Sequence, residues 1–211
     1  MYVFSNTAVA LDGRIGTVGQ EHLNVGTDED RRRMGILRAK ADAVLIGGRT
    51  FRMDPDPIVE PEALQNGVAR RPIINAVLSR SGIAQSMDSS WAEPRVALHV
   101  FGPPDLDAPA HKAVGAHLHV AESPIDVLDQ LEQMGCRNVL VEGGGDIIFK
   151  LIAAKRIDTI FMTLAPRIIG GVGAPTLADG RGFRPHEIVD FRLADCEQVG
   201  DELFLRYDMK R

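Results

Sequence analysis

The sequence contains few of the residues on which several classes of protein depend. Its 211 residues include two cysteines, one tryptophan and 5% aromatic residues. Cys136 and Cys196 lie far apart without a second ligand cluster, so they favour neither a disulfide framework nor a zinc site. With 24 basic and 29 acidic residues the net charge is −5, and the scattered aromatic residues offer no stacking surface. We therefore expect no nucleic-acid partner.

Long hydrophobic runs are also lacking. No stretch of about 18 consecutive apolar residues occurs, and the first residues contain no basic and apolar leader. We therefore expect no membrane association and a location in the cytoplasm, whose reducing conditions suit a chain without disulfides.

Short runs rich in Val, Ile and Leu alternate with helix-like segments up to residue 156. This alternation predicts an α/β domain with a largely parallel sheet. The predicted strands in this part are 3–10, 43–47, 73–78, 96–101, 117–120 and 138–141. One helix is predicted to begin after Thr27, where a threonine N-cap is followed three residues later by Asp30, as in a capping box. A second helix ends at Gly135 and carries an apolar stripe of Ile125, Leu128, Leu131 and Met134.

The pattern changes after residue 156, where three predicted strands follow one another without a long helix. These strands are 157–165, 188–194 and 202–209. The last of them alternates cleanly and follows a turn at Val199, Gly200 and Asp201, so the chain is expected to end in an antiparallel hairpin. We predict a single domain over 1–211 with functional loops at 53–72, 102–110 and 166–186.

The strongest local signal is a run of three glycines between a strand and a helix. The apolar run 138–141 leads into a segment that we call the glycine loop, which consists of Glu142, Gly143, Gly144 and Gly145. Glycines let a backbone approach a ligand closely, and the amides of a helix N-terminus favour phosphate. The pattern is neither a G-x-G-x-x-G fingerprint nor a P-loop. It predicts either a pyrophosphate-binding loop or a tight turn before a helix.

Two further strand ends carry groups that suit an anionic ligand. Gly47 and Gly48 end the strand 43–47, and Ser79, Arg80 and Ser81 follow the strand 73–78. The carboxyl ends of parallel strands meet at one edge of a sheet, where ligands of open α/β sheets bind. An arginine can form paired hydrogen bonds with phosphate oxygens, although a solvated turn has the same composition.

Several short motifs occur in a characteristic order. They are Ser5-Asn6, Leu11-Asp12-Gly13-Arg14-Ile15, Asp30-Arg31, Leu37-Arg38-Ala39, 47–50, 141–145 and 165–171, followed by the tail 173–183. This order resembles the reductases of riboflavin biosynthesis, and in particular the stand-alone archaeal and fungal type that acts on a ribosylaminopyrimidine 5′-phosphate. The resemblance spans nearly the whole chain. It implies a dihydrofolate reductase-like fold, a three-layer sandwich with a mixed, mostly parallel sheet and a C-terminal antiparallel hairpin.

The resemblance also implies that the cofactor is NADPH. Thr50 and Asp54 would contact its nicotinamide half, and the glycine loop would meet its diphosphate and ribose. The segment from Leu78 to Ser81 would hold the adenosine 2′-phosphate. The cofactor-binding residues implied in this way are Gly47, Gly48, Thr50, Asp54, Leu78, Ser79, Arg80, Ser81, Glu142, Gly143, Gly144 and Gly145.

The reaction implied by the resemblance is the reduction of a ring-opened ribosylamine to a ribitylamine in a homodimeric enzyme. Asp54 and Glu142 are the candidate catalytic residues, which would orient the substrate or relay a proton. No metal is expected, because His117 and His119 alternate on one strand without a third ligand. The candidate substrate-binding residues are Asn6, Arg14, Arg31 and Glu142.

One segment departs from the family pattern. Family members follow the threonine helix with Asp-Asp-Pro-Arg-Leu, whereas this chain has Asp54-Pro55-Asp56-Pro57-Ile58. Without the family's arginine, the substrate's 5′-phosphate depends on Arg14 or on the arginines that begin at Arg31. A reductase of dihydrofolate, a pterin or another heterocycle is therefore the alternative. A non-catalytic nucleotide-binding protein is a third possibility, which the three cofactor segments disfavour.

Overall fold

The computed structural model describes residues 1–19, 23–58, 72–83, 96–113 and 115–211. These residues form two compact units. The first comprises Met1 and Gly35–Leu140, and the second comprises Tyr2–Met34 and Val141–Arg211. The single domain over 1–211 stays a prediction.

Strands and helices alternate along most of the described chain. In chain order they are β1 (Tyr2–Ala10), α1 (Asp28–Arg38), β2 (Ala43–Gly47), α2 (Gly48–Met53), β3 (Ile73–Leu78), β4 (Val96–Gly102), α3 (Ala108–Ala113), β5 (His117–Val120), α4 (Pro124–Gln133), β6 (Asn138–Val141), α5 (Gly145–Ala153), β7 (Thr159–Ala165), a 3-10 turn (Pro185–Glu187), β8 (Phe191–Val199) and β9 (Glu202–Met209).

The first unit contains neighbouring strands in the order β5-β4-β3-β2-β6. β2 pairs with β3, β3 with β4 and β4 with β5, each time in parallel. Apolar residues of β2 such as Val44 and Leu45 are fully buried, as is typical of a strand that is covered on both faces. α2 contacts β2 and β3, while α4 contacts β3 and α3 contacts β5. Because β2 and β3 are parallel, both end at the same edge of the sheet.

The second unit contains neighbouring strands in the order β1-β7-β9-β8. β1 is parallel to β7, and β9 is antiparallel to both β7 and β8. α1 packs on this sheet, because Asp30 accepts a hydrogen bond from Thr163 of β7 and the Arg33 guanidinium lies 3.9 Å from the ring centroid of Phe204 in β9. α5 is embedded in the core, where its buried residues include Ile147, Ile148, Phe149, Leu151 and Ile152.

The predicted strand pattern is confirmed, with differences at some ends. Strands 43–47, 73–78, 117–120, 138–141 and 202–209 have the predicted bounds, and β8 and β9 form the predicted antiparallel hairpin. β7 begins at Thr159 rather than at residue 157. β8 begins at Phe191 rather than at residue 188, because the 3-10 turn precedes it and its pairing starts opposite Met209. Among the described residues, none of the helices combines the length and apolar composition needed to cross a membrane.

The predicted start of α1 is confirmed, but the predicted capping box is wrong. The helix begins at Asp28, directly after Thr27. The Thr27 N–H donates to Glu202 Oε1 at 3.0 Å, and the Thr27 hydroxyl donates to Glu202 Oε2 at 2.5 Å. Asp30 accepts from Thr163 instead of from Thr27. Both side chains bond to the sheet because β7 and β9 lie against the first turn of the helix.

Candidate functional site

The carboxyl ends of β2 and β3 lie close together in the first unit. Gly47 is the last residue of β2 and the N-cap of α2, and it is opposite Leu78 in the strand register. A Cβ on Gly48 would lie 2.6 Å from the Cβ of Ser79, so only glycine allows α2 to begin this close to the end of β3. The structure thus brings together four residues predicted to bind the cofactor.

The turn after β3 is closed by its own side chains. Ser79 is 5% exposed, and its hydroxyl donates to the Gly82 carbonyl at 3.0 Å. That hydroxyl therefore stabilises the turn, while Arg80 and Ser81 are exposed to solvent. Arg52 of α2 also donates to the Gly82 carbonyl, from Nη1 at 3.3 Å. Sequence analysis missed Arg52. Its only sequence signal was its position four residues after Gly48, which places both residues on one face of a helix.

Thr50 and Asp54 belong to one turn of α2. Asp54 is the C-cap of the helix, and its N–H donates to the Thr50 carbonyl at 3.2 Å. The segment that departs from the family pattern is fixed at its end by Asn75, whose Oδ1 accepts from the Ile58 N–H at 2.8 Å and whose Nδ2 donates to the Ile58 carbonyl at 3.0 Å. Residues 59–71 of the predicted loop 53–72 lie outside the described residues.

The glycine loop leads into α5 in the second unit. Gly144 is the N-cap of α5 with φ 77°, a backbone conformation that favours glycine. No side chain caps this helix, and the first N–H groups of a helix have no acceptor within it. Those amides and the positive end of the helix dipole suit an anionic group such as a diphosphate.

Gly145 has no space for a side chain, whereas Gly144 needs glycine for its backbone conformation. A Cβ at this position would lie 2.5 Å from both Asp179 Oδ2 and the Thr176 carbonyl oxygen. The Asp179 N–H also donates to the Gly145 carbonyl at 3.0 Å. The side-chain direction of Gly145 is therefore filled by the loop 166–186, and any contact with a cofactor must come from its backbone.

Two carboxylates of the second unit, Glu202 and Glu142, act electrostatically on Asp30 of α1. Asp30 is half-buried, and its Oδ1 accepts from the Thr163 hydroxyl at 2.6 Å. Burial raises the pKa of Asp30 above its ordinary value of 3.8, the Thr163 bond opposes this rise, and the charges of Glu202 and Glu142 add to it. Glu142, a predicted catalytic residue, is therefore within electrostatic range of Asp30. Sequence analysis placed Asp30 at the helix start and in the motif Asp30-Arg31, but it did not assign the residue to the site, because its neighbours come from strands far away in the chain.

Two predicted substrate residues lie on strands or loops of the same unit. Asn6 is half-buried on the face of β1 and β7 that also carries Thr163, since residues two apart on a strand share a face. Arg14 donates from Nη1 to the Ala174 carbonyl at 2.6 Å and forms a backbone bridge with Thr176. Arg14 therefore holds the loop 166–186 in place.

A cavity of about 440 Å³ lies at the start of α1. Arg31, the remaining predicted substrate residue, lines this cavity and forms an ion pair with Asp28. Arg167 also lines it and donates from Nη1 to the Asn24 carbonyl at 2.8 Å. Sequence analysis missed Arg167, which the motif 165–171 contained without any signal that its side chain faces α1.

The histidines of β4 and β5 bond to one another. His99 Nδ1 lies 2.9 Å from His119 Nε2, and the ring centroid of His117 is 4.8 Å from that of His99. No local pattern predicted a partner for His99, because the contact arises only from the pairing of β4 with β5. In the part of the chain that the structure describes, no group of three or more His, Cys, Asp or Glu residues is placed to hold a metal ion.

Comparison with known proteins covers nearly the whole chain. The profile of a family described as the RibD C-terminal domain matches residues 1–205. The chain belongs to this family. The resemblance to the reductases of riboflavin biosynthesis is thereby confirmed.

Curated relatives and solved structures match this chain over most of its length. The 2,5-diamino-6-ribosylamino-4(3H)-pyrimidinone 5′-phosphate reductase of Archaeoglobus fulgidus is 31% identical over 95% of this chain and 94% of its own. The enzyme of the same name from Methanothermobacter thermautotrophicus is 26% identical over 99% of this chain and 98% of its own. The structure of RibD from Acinetobacter baumannii matches with a TM-score of 0.82 and 21% identity, over 100% of this chain and 58% of that chain. The predicted α/β fold of the dihydrofolate reductase type is confirmed.

Proposed function

We propose that this chain is an NADPH-dependent oxidoreductase of riboflavin biosynthesis. Its substrate would be 2,5-diamino-6-ribosylamino-4(3H)-pyrimidinone 5′-phosphate, whose ribosylamino group becomes ribitylamino. The observation that carries the proposal is the near full-length similarity to two reductases of that name, which covers at least 95% of this chain. The glycine loop also supports the proposal, because the uncapped amides at the start of α5 suit an anionic group.

Each unit contains residues that are suited to one part of a dinucleotide cofactor. The first-turn amides of α5 are proposed to hold its diphosphate, and the turn at Arg80 and Ser81 its adenosine phosphate. When bound, NADPH supplies the hydride that adds to C1 of the ring-opened imine. The imine nitrogen takes up a proton, so that a C=N double bond becomes a secondary amine on an open sugar chain. Thr50 and Asp54 are proposed to contact and orient the nicotinamide.

Glu142 is proposed to orient the substrate and to pass the proton to the imine nitrogen. Asp30 would act through Glu142 as a positioning residue, because the two carboxylates lie within electrostatic range. Since burial raises the pKa of Asp30, this carboxyl group retains a proton to higher pH than an isolated aspartate does. A carboxyl group that retains its proton in this way is suited to proton transfer.

The substrate's 5′-phosphate is proposed to bind in the cavity at the start of α1. Arg31 and Arg167 line this cavity, and arginine is the side chain best suited to paired hydrogen bonds with phosphate. The two arginines would replace the one that is missing from the segment 54–58. Arg14 is a further candidate, because its bond from Nη1 to the Ala174 carbonyl uses only one of its five N–H donors.

A cytoplasmic homodimer completes the proposal. β8 is the last strand in the order of the second unit, and from Arg192 onward all its residues are exposed. Such an edge leaves backbone N–H and C=O groups available for a second copy of the chain.

Cys136 and Cys196 form no disulfide, which suits a reducing compartment.

The test of this function is turnover with defined substrates. Purified protein should consume NADPH when the ribosylaminopyrimidine 5′-phosphate is supplied, and mass spectrometry should show a product that has gained two hydrogen atoms. A parallel assay with dihydrofolate and a dihydropterin addresses the alternative. Consumption of NADPH with either of these, and none with the ribosylamine, would replace the proposed function by a pterin or folate reductase.

A further inference from the structure

Residues 174–183 of the second unit link the loop after β1 to α5. At one end, Arg14 Nη1 donates to the Ala174 carbonyl at 2.6 Å. At the other end, the ring centroid of Phe183 lies 4.7 Å from that of Phe149 in α5. The segment is therefore fixed at both ends, and its middle lies against the glycine loop.

Asp179 makes the contact in the middle of the segment. Its Oδ1 accepts from the Thr176 N–H at 3.1 Å and from the Thr176 hydroxyl at 2.7 Å. Its own N–H donates to the Gly145 carbonyl at 3.0 Å. Its Oδ2 occupies the space in which a side chain at Gly145 would lie. The Asp179 side chain thus shapes a tight turn whose backbone bonds to the last residue of the glycine loop.

The bond to Gly145 has a consequence for the start of α5. A peptide group is planar, so the Gly145 carbonyl and the Asp146 N–H point in opposite directions within one rigid unit. Fixing the carbonyl therefore also fixes the direction of the Asp146 N–H, which is one of the first-turn amides without an acceptor in the helix. Those amides are the groups that suit an anion at this end of α5.

We propose that Asp179 is a positioning residue for the dinucleotide cofactor. It orients the first-turn amides of α5 toward the diphosphate, through Thr176 and Gly145, without touching the cofactor itself. This inference rests on the proposed function, because it requires that the glycine loop receives a dinucleotide.

Direct binding of NADPH to the full chain tests this role. Asp179→Ala removes the acceptor of both Thr176 bonds, and we expect the Kd of NADPH to rise about tenfold, which corresponds to about 1.4 kcal/mol. Asp179→Asn keeps an acceptor oxygen and should retain most of the affinity. Binding is followed by nicotinamide fluorescence, with inorganic pyrophosphate as a competitor for the diphosphate position. In turnover, the KM for NADPH should rise in Asp179→Ala while kcat at saturating NADPH stays within about twofold.

Glu187→Ala is the matched control. The Glu187 carboxylate also anchors the loop 166–186, since it accepts from Arg181 Nη1 and Nη2 at 2.9 Å each and from the Arg184 N–H at 2.9 Å. Its loss should lower the thermal unfolding midpoint, as we also expect for the loss of Asp179, but it should leave the Kd of NADPH unchanged. An equal rise of Kd in Glu187→Ala and Asp179→Ala would overturn the inference, because both would then act through loop stability alone.

A double-mutant cycle tests whether Asp179 acts through Gly145. Gly145→Ala introduces a Cβ that overlaps Asp179 and should by itself raise the Kd of NADPH. In the combined variant the rise should be smaller than the product of the single factors, because both changes affect one contact. Full additivity would overturn the inference while leaving the proposed function intact. A wild-type chain that binds neither NADPH nor NADH would overturn the proposed function and this inference with it.

Discussion

Two arginines lie at the turn after β3. The sequence identified one of them, and only the structure identified the other. Arg80 follows directly after the strand, so its position in the sequence was enough to suggest a phosphate contact. Arg52 belongs to α2 and reaches the same turn through its bond to the Gly82 carbonyl at 3.3 Å. A guanidinium has five N–H donors, and the bond to Gly82 uses one of them. The turn therefore has two candidate groups for selecting NADPH over NADH.

The selectivity of this turn can be tested with single substitutions. Arg80→Ala should raise the Kd of NADPH roughly tenfold and leave that of NADH nearly unchanged, because a charge-assisted hydrogen bond contributes about 1.5–3 kcal/mol. Arg52→Ala should act in the same direction. Calorimetry with both cofactors measures the ratio, and Arg137→Ala, an exposed arginine before β6, is the control. An equal loss of both cofactors in Arg80→Ala would remove the assignment.

Glu142 is the single carboxylate that is proposed to transfer the proton to the substrate. Glu142→Gln keeps the shape of the side chain but removes its ability to transfer a proton, so kcat should fall on the order of a hundredfold or more. The Kd of NADPH should change little. Steady-state rates and fluorescence titration separate the two effects, and Glu122→Gln at the start of the α4 region serves as the exposed control. A variant that keeps full kcat would exclude Glu142 as the proton-transfer group.

At the scale of elements, the pairing of β4 with β5 builds a contact between histidines. The ring centroids of His99 and His119 are 5.0 Å apart and the ring planes differ by 9°, while Nδ1 and Nε2 are 2.9 Å apart. The rings thus lie edge to edge, and one nitrogen must donate while the other accepts. Burial, followed by the charges of His119 and His117, lowers the pKa of His99 from 6.5 to about 4. Burial also lowers the pKa of His119.

This arrangement predicts a loss of stability in mild acid. Between pH 6.5 and about 4 the unfolded chain binds protons at His99 that the folded chain does not. The free energy of unfolding should therefore fall as the pH falls through this window. His99→Leu should flatten the dependence, as measured by urea unfolding across the window, whereas His186→Leu in the exposed 3-10 turn should not. An unchanged slope in His99→Leu would show that other groups cause the acid sensitivity.

At the scale of the whole molecule, β8 is an edge strand that exposes apolar side chains. Leu193 is 50% exposed and Val199 is 39% exposed, although both belong to a strand of the sheet. β8 pairs with β9 on one side. A second copy of the chain would cover the apolar side chains of β8 and its other backbone edge.

Light scattering tests the proposed homodimer. The mass at micromolar concentration should be twice the chain mass of 23.0 kDa. Leu193→Glu should shift it to one chain mass, because a buried unpaired carboxylate is unfavourable in an apolar interface. Val120→Glu places the same charge at another exposed apolar position, on β5, and should leave the dimer intact. A monomeric wild type, or dissociation caused by Val120→Glu instead, would contradict the prediction.

The sequence by itself determined the strands and the order of the elements. β2, β3, β5, β6 and β9 have the predicted bounds because apolar runs and the residues that end them act over a few neighbouring positions. The family followed from motifs that keep their order along the chain, and the glycine loop was visible because three glycines before a helix are a local pattern.

Only the tertiary structure decided which of these residues meet. Thr163 binds Asp30 across a separation of 133 residues, Arg52 reaches Gly82 across 30, and Asp179 packs on Gly145. No local pattern encodes such contacts, because they depend on strand register and on which helix face meets the sheet. The capping box predicted at Thr27 is wrong for the same reason. Thr27 donates its hydrogen bonds to Glu202 of β9 and not to Asp30 of its own helix. A residue's neighbours in the chain set its conformation, whereas its neighbours in space set its burial, its pKa and its hydrogen-bond partners.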